Sequence, residues 1–288
     1  MVAAPQATFN CRLCGAGGLA FHYALGRDGQ CRYYKCPNCG LVNYDLSGGL
    51  EQEQYTRVLI DPADDRVQGN RDNDQSFRFL MRHVPVPGRL LDIGCGNGRL
   101  LLKARRAGWR VKGLELSATM AAFAAAEVGC EVRTDDFLEM DITPAERESF
   151  DVVSLRHVLE HLPDPLQAMA RISALLRPGG WFLAEMPNIE GWSKRWVRFS
   201  ERSGLHQRRF PADFAAGHAC EYSRQSFDAL LARTGFELVR WETYSKKPLA
   251  NWLLSRWPIG TKARALARKQ SGQGQVAPAN GPATVRGP

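Results

Sequence analysis

The sequence predicts a doubly wound α/β domain with a small cysteine-knuckle module in front of it. Three observations carry that expectation. The apolar run Leu90-Leu91-Asp92-Ile93 breaks into Gly94-Cys95-Gly96-Asn97-Gly98 and is followed by a helix-like run from Arg99. Strand, glycine turn and helix N-terminus in succession build the ligand-binding corner of such sheets. Further short apolar runs alternate with helical patterns as far as Trp241, the order of a parallel sheet with crossover helices. Ahead of them, two C-x-x-C-G knuckles stand 21 residues apart.

The chain of 288 residues is long enough to bury an α/β core and a small accessory module. Its 44% hydrophobic and 24% charged content is that of a globular protein and argues against a disordered one. The first residues have neither the basic nor the apolar region of a signal peptide. No apolar run approaches the roughly 18 residues of a membrane span. Five of the eight cysteines precede residue 40, a metal-binding pattern rather than a secreted disulfide framework, so a cytoplasmic location is expected. The net charge of +8 is concentrated at 194–198 with Arg208-Arg209, and at 246–269. A solvated basic surface, nucleic acid, an anionic membrane surface or an anionic substrate would each account for it.

Residues 1–45 form the first module. Cys11 and Cys14, with Cys36 and Cys39, present four thiolates to one ion, and a tetrahedral four-sulfur array suits a structural Zn²⁺ with no open position. Cys31 is a fifth candidate, set aside because four residues separate it from Cys36 and the two make no knuckle. Residues 46–85 read as a partly helical linker, with Phe77, Leu80 and Met81 at helical spacing in 70–83 before Pro85 and Pro87. That helix covers either a cofactor or the core.

The glycine corner narrows its own ligand. A dinucleotide fingerprint needs G-x-G-x-x-G, whereas here the third glycine is Gly98 and Arg99 stands in the expected place. Asp92, two residues before Gly94, would repel a pyrophosphate and attract a cation. Val111 to Glu115 reads as a second strand ending in an acid, 130–137 as a third short strand followed by Asp135 and Asp136, and Phe150 to Leu155 as a fourth. His157 to Leu162 follows the fourth strand, and 176–183 ends a helix on Pro178-Gly179-Gly180 and opens a fifth strand.

From about Gly88 to Ser245 this order resembles the class I S-adenosylmethionine-dependent methyltransferases, with Asp92, Gly94, Gly96 and Gly98 as their first motif. The resemblance implies a Rossmann-like fold and S-adenosylmethionine as methyl donor. Glu115 would hold the ribose hydroxyls, and Asp135 or Asp136 the adenine amino group. The stretch His157-Val158-Leu159-Glu160-His161 is similar to that of the ubiquinone-biosynthesis O-methyltransferases, some of which bind a divalent cation through Glu-x-x-Glu-His. His157 replaces the first Glu of that pattern, and imidazole is a poor ligand for Mg²⁺. The cysteine module also resembles that of deoxysugar C-methyltransferases, whose extra C-terminal domain has no counterpart here.

The remaining elements extend a domain expected at 86–247. Ser117 caps an alanine-rich helix that Gly129 ends. Asp164-Pro165-Leu166-Gln167 sets a cap, a first-turn proline and a capping-box partner in line. Residues 187–222, with Trp192, Trp196, Phe199, His206, Phe210, Phe214 and His218, interrupt the pattern and read as a substrate lid. Helix and strand follow at 226–241, but no partner for that strand is evident. Residues 248–269 read as a basic amphipathic segment suited to its own domain or to a membrane interface, and 270–288 as a disordered tail.

The expected activity is methyl transfer to a small molecule, a glycan or a lipid-linked acceptor, more readily on oxygen than on carbon or nitrogen. A hydroxyl acceptor needs its proton removed, and His157, His161 and His218 are the candidates, in that order. An rRNA or tRNA methyltransferase would also explain the charge and the ribbon. Ser154-Leu155-Arg156-His157 lacks the Asn-Pro-Pro-Tyr or Asp-Pro-Pro-Tyr pattern of exocyclic-amine methylation, and the ribbon lacks an aromatic-rich stacking surface. A non-catalytic cofactor-binding protein is the third reading, opposed by the intact glycine corner.

Overall fold

A computed structural model of the chain describes residues 6–50, 70–203, 205, 209–211, 214–244 and 260–271. Most of the linker, His206, the amphipathic run at 249–257 and the tail from 272 lie outside the described residues. Seven strands form the main sheet, in the order β10-β11-β8-β7-β4-β5-β6. Its parallel part comprises β4 (Arg89–Ile93), β5 (Arg110–Leu114), β6 (Val132–Arg133), β7 (Phe150–Arg156) and β8 (Leu176–Pro187). Five helices serve this sheet: α1 (Asn70–His83), α2 (Arg99–Arg106), α3 (Ala118–Val128), α4 (Pro165–Leu175) and, after the lid, α6 (Arg224–Arg233). The lid itself carries α5 (Trp192–Arg202).

The period-two rule sorts the strand side chains onto two cores. On one face lie Leu91, Val153, Leu155, Phe182 and Ala184, packed with Met169, Ile172 and Phe227. On the other lie Leu90, Val152 and Leu183, packed with Leu101, Ala124 and Trp109. Phe79 and Leu80 of α1 are fully buried in this second cluster, so the helix covers the core. Ser76 ties it to the sheet by donating to Glu185 Oε1 at 2.6 Å.

The caps form as the spacing predicts. Ser117 accepts from Met120 N, Asp164 accepts from Gln167 N, and Gly129 ends α3 with φ 67°. Gln167 does not complete a capping box, because its side chain donates to Leu138 O. Helix α4 stops at Leu175, and Pro178-Gly179-Gly180 falls inside β8, where the pairing with β7 slips between Phe150 and Val152.

The largest departure from expectation is β11 (Lys262–Lys269), which runs antiparallel between β8 and β10 (Phe236–Tyr244). It supplies the partner strand that the sequence does not reveal, and it corrects the reading of 262–269 as part of a basic amphipathic segment. The run Lys-Ala-Arg-Ala-Leu-Ala-Arg-Lys hides its nature because alanine favours helix and three of its apolar residues are alanines. All three are fully buried. Arg264, also buried, donates to Glu185 and lies between the rings of Tyr244 and Phe79.

The N-terminal module is not a separate body. Strands β1 (Ala20–Leu25), β2 (Cys31–Lys35) and β3 (Val42–Tyr44) form an antiparallel sheet whose fourth strand is β9 (Cys220–Glu221), from the far end of the lid. Leu13, Tyr34 and Leu41 share one apolar cluster with Leu155, Met186 and Tyr222 of the main domain.

Candidate active site

The glycine corner sits at the carboxyl end of β4. Gly94, Gly96 and Gly98 all have positive φ, at 69°, 56° and 75°, a region open to glycine at little cost. Gly94 N and Cys95 N both donate to Leu114 O, which clamps the loop against the end of β5. Gly98 serves packing as well: a Cβ there would lie 2.8 Å from Val128 Cγ2 and 2.9 Å from Ala124 Cβ, where α3 crosses.

Glu115 follows β5 beside this loop. Its Oε2 accepts from Gly96 N at 2.8 Å and its Oε1 from Ser117 N at 3.0 Å. Burial pushes its pKa up, against the pull of these two amides. Each carboxylate oxygen retains a second lone pair for a hydroxyl donor. Asp92 has a different setting from the one its charge suggested. It is fully buried, accepts from Ser154 Oγ, and pairs with Arg156 Nη2 at 3.1 Å. Its negative charge is therefore compensated inside the sheet, and it fastens β4 to β7. Asp135 pairs with Arg133 at 2.7 Å, and Asp136 accepts from Leu138 N; both are exposed in the loop after β6.

The three histidines converge on one buried acid. His157 follows β7 in a left-handed backbone conformation, φ 57°, rare outside glycine and typical of functional turns. Its Nδ1 lies 3.4 Å from Glu160 Oε1, and its Nε2 is buried without a hydrogen-bond partner among the described residues. His161 Nδ1 donates to Gly217 O at 2.6 Å, so in the neutral ring the lone pair belongs to Nε2. Burial pushes the pKa of His161 down, keeping it neutral. The His218 ring stands edge-on to His161 at 5.0 Å. Burial raises the pKa of Glu160, but the His157 contact, with the other imidazoles close by, outweighs it and holds the carboxyl below its usual range.

His218 also belongs to a second cluster, at the seam between lid and ribbon. Its Nδ1 lies 3.3 Å from Glu221 Oε1, which Lys194 Nζ approaches at 3.4 Å, while Tyr23 OH donates to Glu221 Oε2 at 2.5 Å. Burial works against the Glu221 charge, yet His218, Lys194 and Tyr23 bring its pKa down to about 2. These groups wall a cavity of about 540 Å³, lined also by Tyr33 from the ribbon and by Val197, Arg198 and Phe214 from the lid. The volume suits a small-molecule ligand, a few polar groups set among aromatic and apolar walls. Glu160 and Glu221 are absent from the residues that sequence reasoning selects. Glu160 stood in plain view between two chosen histidines, and only its burial among them marks it out.

The knuckle cysteines also converge. Single ligand atoms of Cys11, Cys14, Cys36 and Cys39 lie within 4.8 Å of one another. The Sγ atoms of Cys11 and Cys39 are 3.5 Å apart, as are those of Cys14 and Cys36. Gly15 and Gly40 close the two knuckles with φ 73° and 76°, their amides donating to Cys11 O and Cys36 O. Asn43, fully buried, donates to Cys11 Sγ at 3.7 Å, and the contact with the Cys39 thiol pushes the Cys11 pKa down. Four convergent sulfurs with amide support are the donor set of a closed tetrahedral metal site. Cys31 lies elsewhere, buried with Tyr33, Val42 and Tyr44.

Among known proteins, the family model described as a methyltransferase domain matches residues 67–240. The ubiquinone biosynthesis O-methyltransferase of Paraburkholderia phymatum is 34% identical over 113 residues, 38% of this chain and 49% of that protein. Its namesake from Nitrosospira multiformis is 29% identical over 149 residues, 49% of this chain and 61% of that protein. The chain thus spans about half the length of the curated relatives it matches. A S-adenosylmethionine-dependent methyltransferase structure from Methanosarcina mazei aligns at TM-score 0.52 and 16% identity, over 67% of this chain and 97% of that one. Magnesium protoporphyrin IX methyltransferase from Synechocystis, solved with bound S-adenosylhomocysteine, aligns at TM-score 0.50 and 18% identity, over 76% and 91%. Both likenesses are of fold.

Proposed function

Because the chain belongs to the methyltransferase-domain family, we propose that it is an S-adenosylmethionine-dependent methyltransferase acting on a hydroxyl of a small-molecule, glycan or lipid-linked acceptor. One observation carries the acceptor half of this reading: a cavity with a histidine–carboxylate pair in its wall, joined through His161 to the turn that follows β7.

The donor would lie across the glycine corner, with Gly94, Gly96 and Gly98 giving close backbone approach and Glu115 accepting from the ribose hydroxyls. Asp92 positions the end of β4, and Asp135 or Asp136 is left for the adenine edge. When bound, S-adenosylmethionine supplies an electrophilic methyl group on a sulfonium. The chain's own residues must align the acceptor, exclude water and take one proton. His218 is best placed for the proton, because it faces the cavity while Glu221 holds its Nδ1, as in a carboxylate-oriented base. His161, neutral and edge-on, is the relay, and His157 stands on the donor side. This order differs from the one that sequence position alone suggested.

The four cysteines would hold a structural Zn²⁺. With four protein sulfurs there is no place for substrate or water, so the ion acts only on the fold.

Calorimetric titration with S-adenosylmethionine and S-adenosylhomocysteine tests the donor half, and binding of NAD with no response to either compound would overturn it. Incubation with methyl-labelled donor and extracts of metabolites, lipids and RNA tests the acceptor half. Label confined to RNA would sink the small-molecule reading. The cheap companion test is salt, since affinity built on phosphate contacts falls steeply as salt rises.

A further inference from the structure

We infer that the methyl acceptor bears an acid group, a carboxylate or a phosphate, which Lys194 and Arg198 read in the cavity wall. The inference rests on the reading of that cavity as the acceptor pocket. Lys194, Val197 and Arg198 stand three and four residues apart on α5, on one side of the helix, and all three line the cavity. The two cations are thus one helical turn, about 6 Å of rise, apart along the same wall. Their charged ends gather at one place. Lys194 Nζ lies 3.4 Å from Glu221 Oε1. Burial pushes the Tyr23 pKa far above its ordinary value, and the Arg198 charge opposes that rise. The guanidinium therefore lies within electrostatic reach of the hydroxyl that donates to Glu221 Oε2. Against these two cations the described lining holds one carboxylate, Glu221.

The acceptors of this wall are already engaged. Glu221 Oε1 faces Lys194 and His218 Nδ1, and Oε2 accepts from Tyr23. Three backbone carbonyls of the same wall are taken too. Phe214 O accepts from Gln30 Nε2 at 3.3 Å, Gly217 O from His161 Nδ1, and His218 O from Tyr33 OH at 3.2 Å. Donors are in surplus, because a lysine carries three N–H groups and an arginine five. The Ile189 carbonyl anchors Arg198 without cancelling its charge. A ligand suited to such a wall brings acceptors and negative charge. Carboxylate and phosphate supply both, in the strong charge-assisted class of hydrogen bond. A neutral glycan or an isoprenoid would cover the two cations without compensating them.

The ribbon supplies a different kind of surface. Tyr23 and Tyr33 stack with centroids 4.7 Å apart and planes at 18°, and both line the cavity. Leu25 and Phe214 add apolar area beside them. His218 stands between these walls, and with Nδ1 held by Glu221 its Nε2 keeps the lone pair for a hydroxyl proton. The acceptor so described is a hydroxylated ring compound, aromatic or sugar, with its acid group on the α5 side.

The test is calorimetry on the full chain with matched probes that differ in charge: para-hydroxybenzoate with its amide, and glucose phosphate with glucose. The two pairs separate carboxylate from phosphate. In at least one pair the acid is expected to bind about tenfold or more tighter than its neutral partner, with the preference shrinking as salt rises. Lys194→Met and Arg198→Met should each remove most of that preference, and Arg198→Lys should keep part of it. Glu221→Gln should strengthen it by releasing Lys194 to the ligand. Melting and S-adenosylhomocysteine binding report whether each variant keeps its fold. The Lys194 side chain is 31% exposed, so Lys194→Met carries the test alone if Arg198→Met unfolds. Equal or undetectable binding within both pairs would overturn the inference, as would a preference that survives the loss of both cations. So would an RNA oligonucleotide that binds tighter than every small acid and loses affinity in the same variants. These measurements need no methyl donor, so an absence of methyl transfer would count against the O-methylation reading alone.

Discussion

The Tyr23 hydroxyl donates to Glu221 Oε2 at 2.5 Å across 198 positions of sequence. Through it the cysteine ribbon reaches the carboxylate in the cavity wall directly. Removing it with Tyr23→Phe should cost about 1.5–3 kcal/mol, the range for a hydrogen bond to a charged group. Tyr23→Phe and Glu221→Gln should be non-additive in a double-mutant cycle read by denaturant unfolding. Additive losses would show that the contact does no energetic work.

The same carboxylate gives a pH signature. The folded Glu221 pKa, about 2, lies below the ordinary 4.5. Its stabilising contribution is therefore full above about pH 4.5 and is lost as pH falls toward 2. Glu146, brought to about 2 against burial by Lys112 and Thr143, acts in the same direction. Acid unfolding of Glu221→Gln should show a shallower pH dependence across this window than the parent.

Glu115→Ala should weaken S-adenosylmethionine binding by about 1.5–3 kcal/mol if it accepts from the ribose hydroxyls. Calorimetry on the variant checks this, and unchanged affinity would remove Glu115 from the donor site.

His218→Ala should retain donor affinity yet lose about a hundredfold or more in turnover once an acceptor is found. Glu221→Gln should lower turnover less and move the pH profile, because it acts through the histidine. A larger loss from His157→Ala, with donor affinity intact, would place the base on the other side of Glu160.

Metal analysis should give close to one zinc per chain. Cys39→Ser should lose the metal and Cys31→Ser should keep it. Equal loss from both would show that the ligand set is wrong.

Glu185 is 1% exposed and accepts from Ser76, Tyr244 and Arg264, itself 3% exposed. Glu185→Ala leaves the Arg264 charge buried and unpaired and should cost about 3–5 kcal/mol. Replacing both residues with leucine and methionine should recover much of that loss in a thermal melt.

What the sequence makes legible is what is local. Ser117, Asp164 and Gly129 announce helix ends because capping is settled within four residues. The glycine corner announces itself because the strand-turn-helix backbone needs those three positive φ values. Long-range pairing leaves no such mark. Strand β9 is two residues long, too short for any periodicity, and it joins the ribbon through its register with Val42 and Asn43 and through the Tyr23–Glu221 contact. Asp92 looked like a free anion because its partner Arg156 is 64 residues away. Glu160 and Glu221 gain their chemical meaning from burial beside histidines, which no spacing rule encodes.

Strand β11 lies between β8 and β10 although it follows both in the chain. During synthesis the sheet thus waits for its seventh strand to be made before its last two neighbours can be joined. Until 262–269 emerges, β8 and β10 each show a bare edge of unsatisfied amides and carbonyls, a template for pairing with other chains. Truncation ahead of Lys262 should therefore yield an aggregating product rather than a trimmed enzyme, and the Ala-rich, cationic character of this strand keeps the late insert from sticking to itself before it docks.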